Sequence, residues 1–450
     1  MTQPTLVFLH ALGASRREWD LVRRHLPDHP CLALDLSGFG DRADDGYADV
    51  ATMADELVTV IRREQLTACV LVGHSMGAKI VTLVAARAMA GERGLAGVLG
   101  VVLVAGSPPS PEPIAPDRRA EMIGWVADGA IGRAEAETFV AANTAARLPD
   151  AQREQAIADV ERSSRAAWLG WLERGSREDW SPGATNITIP ALIVAGARDG
   201  DLGAAAQRRL NLPHYENGSI RIVEGAAHLI PYEQPAALAA LIAGHTRAVA
   251  AAALPDAFVR VLGSARVSHR TRAAMLARTR PLSAAASGWT AAQLATVAAL
   301  IAQVLPHVGA DDALARRVGA AVHGPGDGWR FADLPSDTEA WARGLATLDA
   351  LTGGFAALSR RDQRDWLMQV DDRSAGIDGR ADCLTAGQMA LWFQDARAEI
   401  VRQWMATPAA MATIGYDGFA VGGDGERKQG YARTAADDIE HWQQAAEPGA

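Results

Sequence analysis

The stretch Ala68–Ala86 constrains the fold of this chain more than any other, because it joins a strand-like run to a helix-like run across two glycines. The apolar, β-branched residues up to Val72 are typical of a buried strand, and the small residues from Met76 onward are typical of a buried helix. Between them, residues 73–77 read Gly-His-Ser-Met-Gly. This pattern predicts a tight strand-to-helix turn that holds Ser75 in a strained, exposed position, as a nucleophile requires.

The two glycines and the following helix suit this turn to nucleophilic catalysis. Side chains at Gly73 and Gly77 would clash across the turn, so glycine is needed at both positions. The turn also directs the backbone N–H of Met76 and the positive end of the helix to the point where an oxyanion would form. A coincidental Gly/Ser turn is the alternative, since the motif alone is weak. The flanking strand and helix favour the catalytic interpretation.

Length and composition limit the classes to which the chain can belong. A chain of 450 residues is expected to fold as two or three domains. The net charge of −9 argues against a nucleic-acid partner, and no stretch is long and apolar enough to cross a membrane. The first residues lack the features of a secretory signal. Cys31, Cys69 and Cys383 follow no metal or redox spacing, which favours free thiols in a reducing compartment, so a cytoplasmic protein is expected.

Further strand-like runs surround the glycine-flanked serine. They alternate with helical segments, which is typical of a mostly parallel sheet covered on both faces. The predicted strands are Thr5–His10, Cys31–Asp35, Gly100–Ala105, Pro190–Ala195 and Ser219–Val223, with helices at Ser15–Leu26, Val50–Arg63 and Gln234–Ala250. The sequence therefore predicts an α/β fold for residues 1–250.

Residues 107–185 interrupt this alternation. The proline-rich segment Ser107–Pro116 breaks regular structure, and alanine-rich helical segments follow it. Because open α/β sheets bind ligands at the carboxyl ends of their strands, we expect this insertion to form a helical cap there. Aromatic residues in such a cap more often form its core than a substrate wall. Trp125 and Trp168 are the candidate pocket residues.

Residues 1 to about 250 resemble the α/β-hydrolase family. The segments that carry the resemblance are HALGASRREW, DLSGFG, GHSMG, GARDGD and GAAHLIPYEQP, in the family's order of nucleophile, acid and histidine. The family usually has two strands before the first strand found here. We therefore expect a shortened sheet.

The resemblance implies a catalytic triad. Ser75 would be the nucleophile, His228 the general base, and Asp199 the carboxylate that orients His228. A serine hydroxyl alone is a poor nucleophile, so the imidazole must take its proton during attack and return it to the leaving group. Asp201, in the same loop, is the alternative acid. Asp199 is favoured over Asp201 because of the distance of Asp199 from Gly196 in the motif.

The resemblance also implies an oxyanion hole made by the backbone N–H groups of Leu12 and Met76. Ala11 stands where the family often has glycine, which matters little for a main-chain donor. His10 and His74 are interpreted as structural residues that pack or hydrogen-bond locally. The remaining histidines show no metal-binding spacing, so no metal is expected.

This set of residues predicts acyl transfer to water through an acyl-enzyme, on an ester, thioester or lactone. Similar folds also cleave carbon–carbon bonds of diketones, and relatives include perhydrolases. The fold itself does not decide between these reactions. No cofactor is expected in this chain.

The second half of the chain has a different pattern. Residues 251–287 are arginine-rich and are interpreted as a solvated linker, or alternatively as a basic docking strip. From residue 288 onward, capped helices are predicted, beginning at Thr290, Ser336 and Thr385. The aromatic stripe of the last helix is more typical of a core than of a cofactor wall. An all-α domain is therefore predicted over residues 288–450.

Residues 288 to about 435 resemble the small third subunit of gluconate 2-dehydrogenase-type complexes. The similar segments are GWTAAQLATVAALIAQVLPH, GLATLDALTGGFAALSRRDQRDWL and WFQDARAEIVRQWMATPAAMATIGYDGFAVGG, followed by Gly430-Tyr431. The turn Ile414–Gly418 is the most particular part. That family partners a flavin oxidoreductase of the glucose–methanol–choline type. The resemblance therefore implies an FAD-dependent partner chain.

Three hypotheses account for the two halves. In the first, a serine hydrolase acting on a small ester or lactone docks a flavoprotein dehydrogenase through its helical domain. In the second, the chain is a stabilising subunit of an oxidoreductase complex and the hydrolase half is a scaffold; a complete triad argues against this. In the third, a free-standing hydrolase carries an unrelated helical appendage.

Overall fold

The computed structural model describes residues 3–280, 282–326 and 331–419. The described residues form two compact units: residues 3–277 together with 417–419 are the first, and those within Arg278–Tyr416 are the second. The last part of the segment that resembles the gluconate dehydrogenase subunit, including Gly430 and Tyr431, lies outside the described residues. In the parts of the chain that are described, no helix is both long and apolar enough to cross a membrane.

A six-stranded sheet forms the centre of the first unit, in the order β2-β1-β3-β4-β5-β6. All of its strand pairs are parallel, which confirms the expected α/β architecture. The strands are β1 (Thr5–Leu9), β2 (Cys31–Leu34), β3 (Cys69–His74), β4 (Val98–Val104), β5 (Ala191–Gly196) and β6 (Gly218–Val223). Because parallel strands run in one direction, their carboxyl ends lie at one edge of the sheet.

Both faces of the sheet are covered. Alternate residues of β1 belong to different apolar clusters, with Val7 and Leu9 in one and Leu6 and Phe8 in the other. This is the consequence of the two-residue repeat of a strand. Apart from the helices of the insertion between β4 and β5, the α-helices that connect the strands, or follow β6 as far as Ala250, are α1 (Asp20–Arg24), α2 (Val50–Arg63), α3 (Met76–Met89), α8 (Ala204–Leu210), α9 (Ile230–Glu233) and α10 (Pro235–Ala250).

Four helices form the insertion between β4 and β5. They are α4 (Pro116–Gly124), α5 (Arg133–Ala142), α6 (Asp150–Glu161) and α7 (Arg165–Glu173). The buried indole of Trp168 on α7 donates a hydrogen bond to the carbonyl of Met122 on α4 at 2.9 Å. The same indole packs edge-on against Phe139 of α5, with ring centroids 5.3 Å apart. These contacts join three of the helices into one packed layer.

The arginine-rich stretch after α10 contains two helices, α11 (Asp256–Gly263) and α12 (His269–Arg278). Arg272 of α12 is buried, and its guanidinium donates hydrogen bonds to the carbonyls of Leu262, Gly91 and Val267 at 2.5–2.7 Å. A buried charge is tolerated when it is hydrogen-bonded in this way. This arginine therefore stabilises the first unit rather than facing solvent.

The second unit is helical and has its own apolar core, which includes Trp341 and Trp392. Its α-helices in the described ranges are α13 (Ala291–Val304), α14 (Asp312–Val322), α15 (Asp337–Thr352), α16 (Arg360–Asp371), α17 (Ala386–Met405) and α18 (Pro408–Thr413). Thr290 and Thr385 form complete capping boxes at the starts of α13 and α17. In each box the threonine hydroxyl and a glutamine side chain satisfy backbone N–H groups that the first helical turn leaves unpaired.

Candidate active site

Ser75 lies on a strained turn between β3 and α3. Its backbone has φ of +48° and ψ of −115°, a combination that non-glycine residues rarely adopt. A Cβ atom at Gly73 would lie 2.5 Å from the carbonyl oxygen of Gly77, and a Cβ atom at Gly77 would lie 2.7 Å from that of Leu9. Both glycines are therefore needed for the close approach of α3 to the ends of β3 and β1.

Asp199 and His228 are brought together at the carboxyl end of the sheet. The His228 Nδ1 atom lies 2.8 Å from Asp199 Oδ2, and both residues follow strand ends, at β5 and β6. The other oxygen of Asp199 accepts hydrogen bonds from the backbone N–H groups of Asp201 and Leu202 at 3.1 and 3.0 Å. Of the two acids in this loop, Asp199 is the one in contact with the imidazole.

The pKa values of these two groups follow from burial and from their pairing. Burial raises the pKa of the Asp199 carboxyl, but the charge and hydrogen bond of His228 outweigh it and leave the pKa below its usual value. Burial lowers the pKa of His228, but the charge and hydrogen bond of Asp199 outweigh that effect, with help from Glu112 and Glu18. The pKa of His228 is therefore raised above the ordinary value for histidine, which favours an imidazolium beside a carboxylate.

Ser75 and His228 line one cavity, together with Leu12 and Asp199. The cavity has a volume of about 280 Å³. Most of its other lining is apolar and comes from the loops and the cap: Ala11, Ile114, Met122, Phe139, Ala142, Trp171, Leu202 and Leu229. Among the described residues, the backbone N–H groups of Leu12 and Met76 have no hydrogen-bond acceptor. Both groups thus remain available to an oxyanion.

The two tryptophans predicted as candidate pocket residues do not lie on the cavity surface, as far as the described residues define it. Trp168 is fully buried, and Trp125 packs beside it with ring centroids 6.2 Å apart. The cavity is instead lined by Phe139 and Trp171. One turn of a helix separates Trp168 from Trp171, and the sequence carries no signal to show which one faces the cavity.

Three polar residues of the cap line the cavity and were missed by sequence reasoning: Glu112, Arg118 and Asn143. Glu112 lies in the proline-rich segment that was interpreted only as a break in regular structure. The backbone carbonyl of Asn143 accepts hydrogen bonds from the N–H groups of His228 and Leu229 at 3.1 and 3.0 Å. These two hydrogen bonds connect the C-terminal end of α5 to the loop that carries His228.

His74, interpreted as structural, joins three loops of the site. Its Nε2 atom lies 2.9 Å from the carbonyl oxygen of His228, and its Nδ1 atom lies 3.1 Å from Oε2 of Glu18. The other oxygen of Glu18 accepts a hydrogen bond from the N–H of Ala11, next to Leu12, at 3.2 Å. His74 and Glu18 are both fully buried. The sequence spacing between them gives no signal of this pairing.

His10 has a similar local role. Its Nε2 atom accepts a hydrogen bond from the backbone N–H of Leu36 at 3.0 Å, and its Nδ1 atom lies 2.7 Å from the carbonyl of Ala11. The ring thus joins the loops that follow β1 and β2. Within the described ranges, no cluster of three histidine, cysteine, aspartate or glutamate side chains is arranged to hold a metal ion.

Comparison with known proteins agrees with the sheet and the turn. The sequence profile described as the alpha/beta hydrolase family matches residues 6–241, about half of the chain. The chain belongs to the alpha/beta hydrolase family. This alpha/beta hydrolase is 28% identical over 247 residues to 2-succinyl-6-hydroxy-2,4-cyclohexadiene-1-carboxylate synthase of Enterobacter sp. (strain 638), a match that covers 53% of this chain and 90% of that protein. The synthase of the same name from Klebsiella pneumoniae subsp. pneumoniae is 28% identical over 248 residues, which cover 53% of this chain and 92% of that one.

Among solved structures, the alpha/beta hydrolase is similar to an esterase from Exiguobacterium antarcticum. The TM-score is 0.49 and the identity is 18%, over 55% of this chain and 92% of the esterase. A thermophilic esterase from Thermogutta terrifontis matches with a TM-score of 0.44 and 22% identity, over 55% of this chain and 91% of that one.

Proposed function

We propose that this alpha/beta hydrolase cleaves a carboxylic ester or lactone through an acyl-enzyme formed on Ser75. One observation carries the proposal: the imidazole of His228, held by Asp199 at 2.8 Å, lines the same cavity as a serine on a strained turn. A serine, an imidazole and an orienting carboxylate in one cavity are the components of nucleophilic acyl transfer.

Each residue has a distinct part in the proposed reaction. The Ser75 oxygen attacks the carbonyl carbon of the substrate while His228 takes its proton, and the imidazolium then gives the proton to the leaving alcohol. Asp199 keeps the proton-bearing Nδ1 of His228 directed toward itself, so that Nε2 is free to act as the base. The N–H groups of Leu12 and Met76 would stabilise the negative charge on the carbonyl oxygen. Water then releases the acyl group by the same steps.

A panel of short-chain 4-nitrophenyl esters, aliphatic lactones and a diketone tests the proposal. We expect the wild-type protein to hydrolyse esters or lactones, and Ser75→Ala to lose about 10⁶-fold in kcat, as removal of the serine from such a triad does. Ester turnover that Ser75→Ala leaves unchanged would refute the assignment. Turnover confined to the diketone would instead identify a carbon–carbon bond hydrolase.

The reaction of the curated relatives is a second candidate. It is favoured by an alignment that covers 90% of the Enterobacter synthase. An assay for formation of the product in that enzyme's name, with the Enterobacter protein as the positive control, decides between the two. Product formation that is lost in Ser75→Ala would identify a synthase, and ester hydrolysis without product formation would identify an esterase.

For the second unit, we propose binding to an FAD-dependent oxidoreductase of the glucose–methanol–choline type. The proposal comes from the resemblance of residues 288 to about 435. It is supported by exposed apolar side chains in this unit, which include Val401 and Met405 one turn apart on α17, followed by Ile414, 48% exposed, and Tyr416.

Purification from the native organism tests the proposed partner: a co-purifying yellow, FAD-bearing chain is expected, and repeated isolation of the chain alone would contradict it. Dehydrogenase activity that persists in Ser75→Ala, with no hydrolase activity in the wild type, would favour the scaffold hypothesis.

A further inference from the structure

Glu112 lines the proposed acyl-transfer cavity, and no step of the reaction uses it. Its Oε2 atom accepts a hydrogen bond from the Ser107 hydroxyl at 2.5 Å, and the N–H of Ser107 in turn donates to the carbonyl of Ser75 at 3.1 Å. The backbone N–H of Glu112 donates to the carbonyl of Ser176 at 2.7 Å. The carboxyl is therefore fixed from two sides, on the segment next to the nucleophile.

The second carboxyl oxygen, Oε1, has no hydrogen-bond donor among the described residues. It is also not among the side-chain atoms that are fully enclosed and unpaired. Glu112 lines the cavity, and its Oε1 atom is neither hydrogen-bonded nor enclosed by the described residues. A substrate group that donates a hydrogen bond would satisfy this oxygen.

The cations near Glu112 are occupied by other partners. The ammonium of Lys79 donates to the carbonyls of Gly175 and Glu178 at 3.1 and 2.9 Å. The guanidinium of Arg119 donates to Ser176 Oγ at 2.6 Å and to the carbonyl of Leu172. Among the described residues, the Glu112 carboxyl forms no ion pair within 4.0 Å, and Lys79 and Arg119 act on it only through their longer-range charge. Its charge is therefore not cancelled by direct pairing.

Two arginines, Arg118 and Arg198, line the same cavity as Glu112. Arg118 pairs with Glu121 at 2.8 Å and stacks over the ring of Trp125. Arg198 lines the cavity but is exposed to solvent, where its charge is screened. The cavity thus presents the Glu112 carboxyl and the Arg118 guanidinium on the cap side, and Arg198 and Asp201 on the loop after β5.

We propose that Glu112 determines substrate specificity, by binding a hydroxyl or ammonium group of the ester and by excluding esters that place a carboxylate there. The inference rests on the proposed ester hydrolysis and adds the class of substrate to it. A hydrogen-bond donor on the substrate replaces the water that would otherwise solvate Oε1, whereas a carboxylate placed there would face a second carboxylate and be repelled by it. Burial also raises the pKa of the Glu112 carboxyl, although the Ser107 hydrogen bond and the charges of His228, Lys79 and Arg119 act in the opposite direction.

A matched series of rigid substrates separates these effects. The series consists of the 4-nitrophenyl esters of cyclohexanecarboxylic acids that carry a methyl, hydroxyl, ammonium or carboxylate group at the trans-4 position. The variants are Glu112→Gln, which keeps an acceptor for the Ser107 hydroxyl, and Glu154→Gln, which changes an exposed glutamate on cap helix α6 as a control. The hydroxyl and ammonium esters distinguish a neutral donor from a cation as the preferred group.

In the wild type, we expect kcat/KM for the hydroxyl or the ammonium ester to exceed that for the carboxylate ester by about 100-fold. The difference combines the gain of one hydrogen bond to a charged group with the repulsion between two carboxylates. Glu112→Gln should reduce this ratio to below about 10-fold, and dividing each kcat/KM by that for the methyl ester in the same variant removes any general change that acts through Ser107 or His228. Glu154→Gln should leave the whole series unchanged. Equal kcat/KM for all four esters, or a ratio that Glu112→Gln does not change, would overturn the proposal while ester hydrolysis itself stands.

Binding to the inert Ser75→Ala protein provides a second measurement that needs no turnover. Calorimetric titration with the same esters should show tighter binding of the hydroxyl or ammonium ester than of the carboxylate ester, and Ser75→Ala/Glu112→Gln should lose the difference. Should the wild type hydrolyse no ester, this titration still decides the role of Glu112. Equal binding of all four esters to Ser75→Ala would refute it.

Discussion

The Nε2 atom of His74 lies 2.9 Å from the carbonyl oxygen of His228, so the residue before the proposed nucleophile holds the loop of the proposed base. A carbonyl oxygen only accepts hydrogen bonds, so Nε2 carries a proton. The opposite nitrogen lies 3.1 Å from Oε2 of Glu18, and a hydrogen bond there requires one more proton between the two. Glu18 and His74, both fully excluded from solvent, thus satisfy each other's hydrogen-bonding groups.

This pairing predicts that His74→Phe lowers both stability and activity. The variant keeps a ring of similar size but leaves the buried Glu18 carboxylate with the Ala11 N–H in place of an imidazole partner, which should cost about 3–5 kcal/mol in the free energy of unfolding. Because the His228 carbonyl also loses its donor, kcat should fall at least about 10-fold. Urea denaturation and ester turnover measure the two effects.

Two further variants separate the causes. Glu18→Leu combined with His74→Phe removes the unpaired charge and should recover at least half of the lost stability, but not the lost kcat. His25→Phe changes an exposed histidine and should affect neither. A fully stable and active His74→Phe protein would contradict the role of the pair.

The contact of Asp199 with His228 predicts the pH dependence of the reaction. The raised pKa of His228 places the acid limb of kcat/KM above the ordinary histidine value of 6.5, because the neutral imidazole is the base. Asp199→Asn removes the charge that favours the imidazolium, so the limb should move to lower pH while kcat falls about 10⁴-fold. Asp201→Asn should leave the limb in place. A shift with Asp201→Asn and none with Asp199→Asn would reverse the assignment of the acid.

Gly73, two residues before the proposed nucleophile, is the position where adding one methyl group should disturb the structure most. Gly73→Ala would place a Cβ atom 2.5 Å from the Gly77 carbonyl oxygen, so β3 and α3 must move apart and soluble expression or ester turnover should be lost. Gly244→Ala in α10, where no atom lies within 4 Å, is the control. That change should stabilise the helix by about 0.5–1 kcal/mol. Normal activity in Gly73→Ala would mean that the turn is wider than described.

The core of the second unit allows a similar test. A Cβ atom at Gly344 of α15 would overlap the buried indole of Trp392 on α17, so Gly344→Ala should lower the stability of this unit by about 1–3 kcal/mol. Gly387→Ala, at an open position near the start of α17, is the control. Thermal unfolding followed by tryptophan fluorescence should show an earlier transition in Gly344→Ala, with ester turnover at 25 °C unchanged. Equal loss of turnover would show that the first unit depends on the second.

The strands were predictable because most of them are short, mainly apolar runs between turn-forming residues, and β1 to β6 all lie within two residues of the predicted ranges. The helix predicted at Ser15–Leu26 is instead a 3₁₀ turn at Arg16–Trp19 followed by α1. There the side chain of Ser15 accepts a hydrogen bond from Arg17 N–H, and the buried Glu18 turns inward toward His74. Tertiary pairing of this kind outweighs local helical periodicity.

The presence of the cap could be predicted from the sequence, but the side chains with which it lines the cavity could not. Its helices carry tryptophans on several sides, and only packing decides that Trp171 lines the cavity while Trp168 is buried beneath it. Glu112 was missed for a related reason: it lies in a proline-rich segment without periodicity, so no pattern indicates the direction of its side chain. The Glu18–His74 pair spans 56 residues and depends on the paths of two loops.

Labelling with a fluorophosphonate probe, followed by peptide mass spectrometry, tests the central claim most directly. The probe reacts with a serine only when a base activates it in an open cavity. The account predicts one adduct on Ser75 in the wild type, strongly slowed labelling in His228→Ala and no adduct in Ser75→Ala. An adduct on a different serine, or ester turnover in a protein whose Ser75 stays unlabelled, would contradict it.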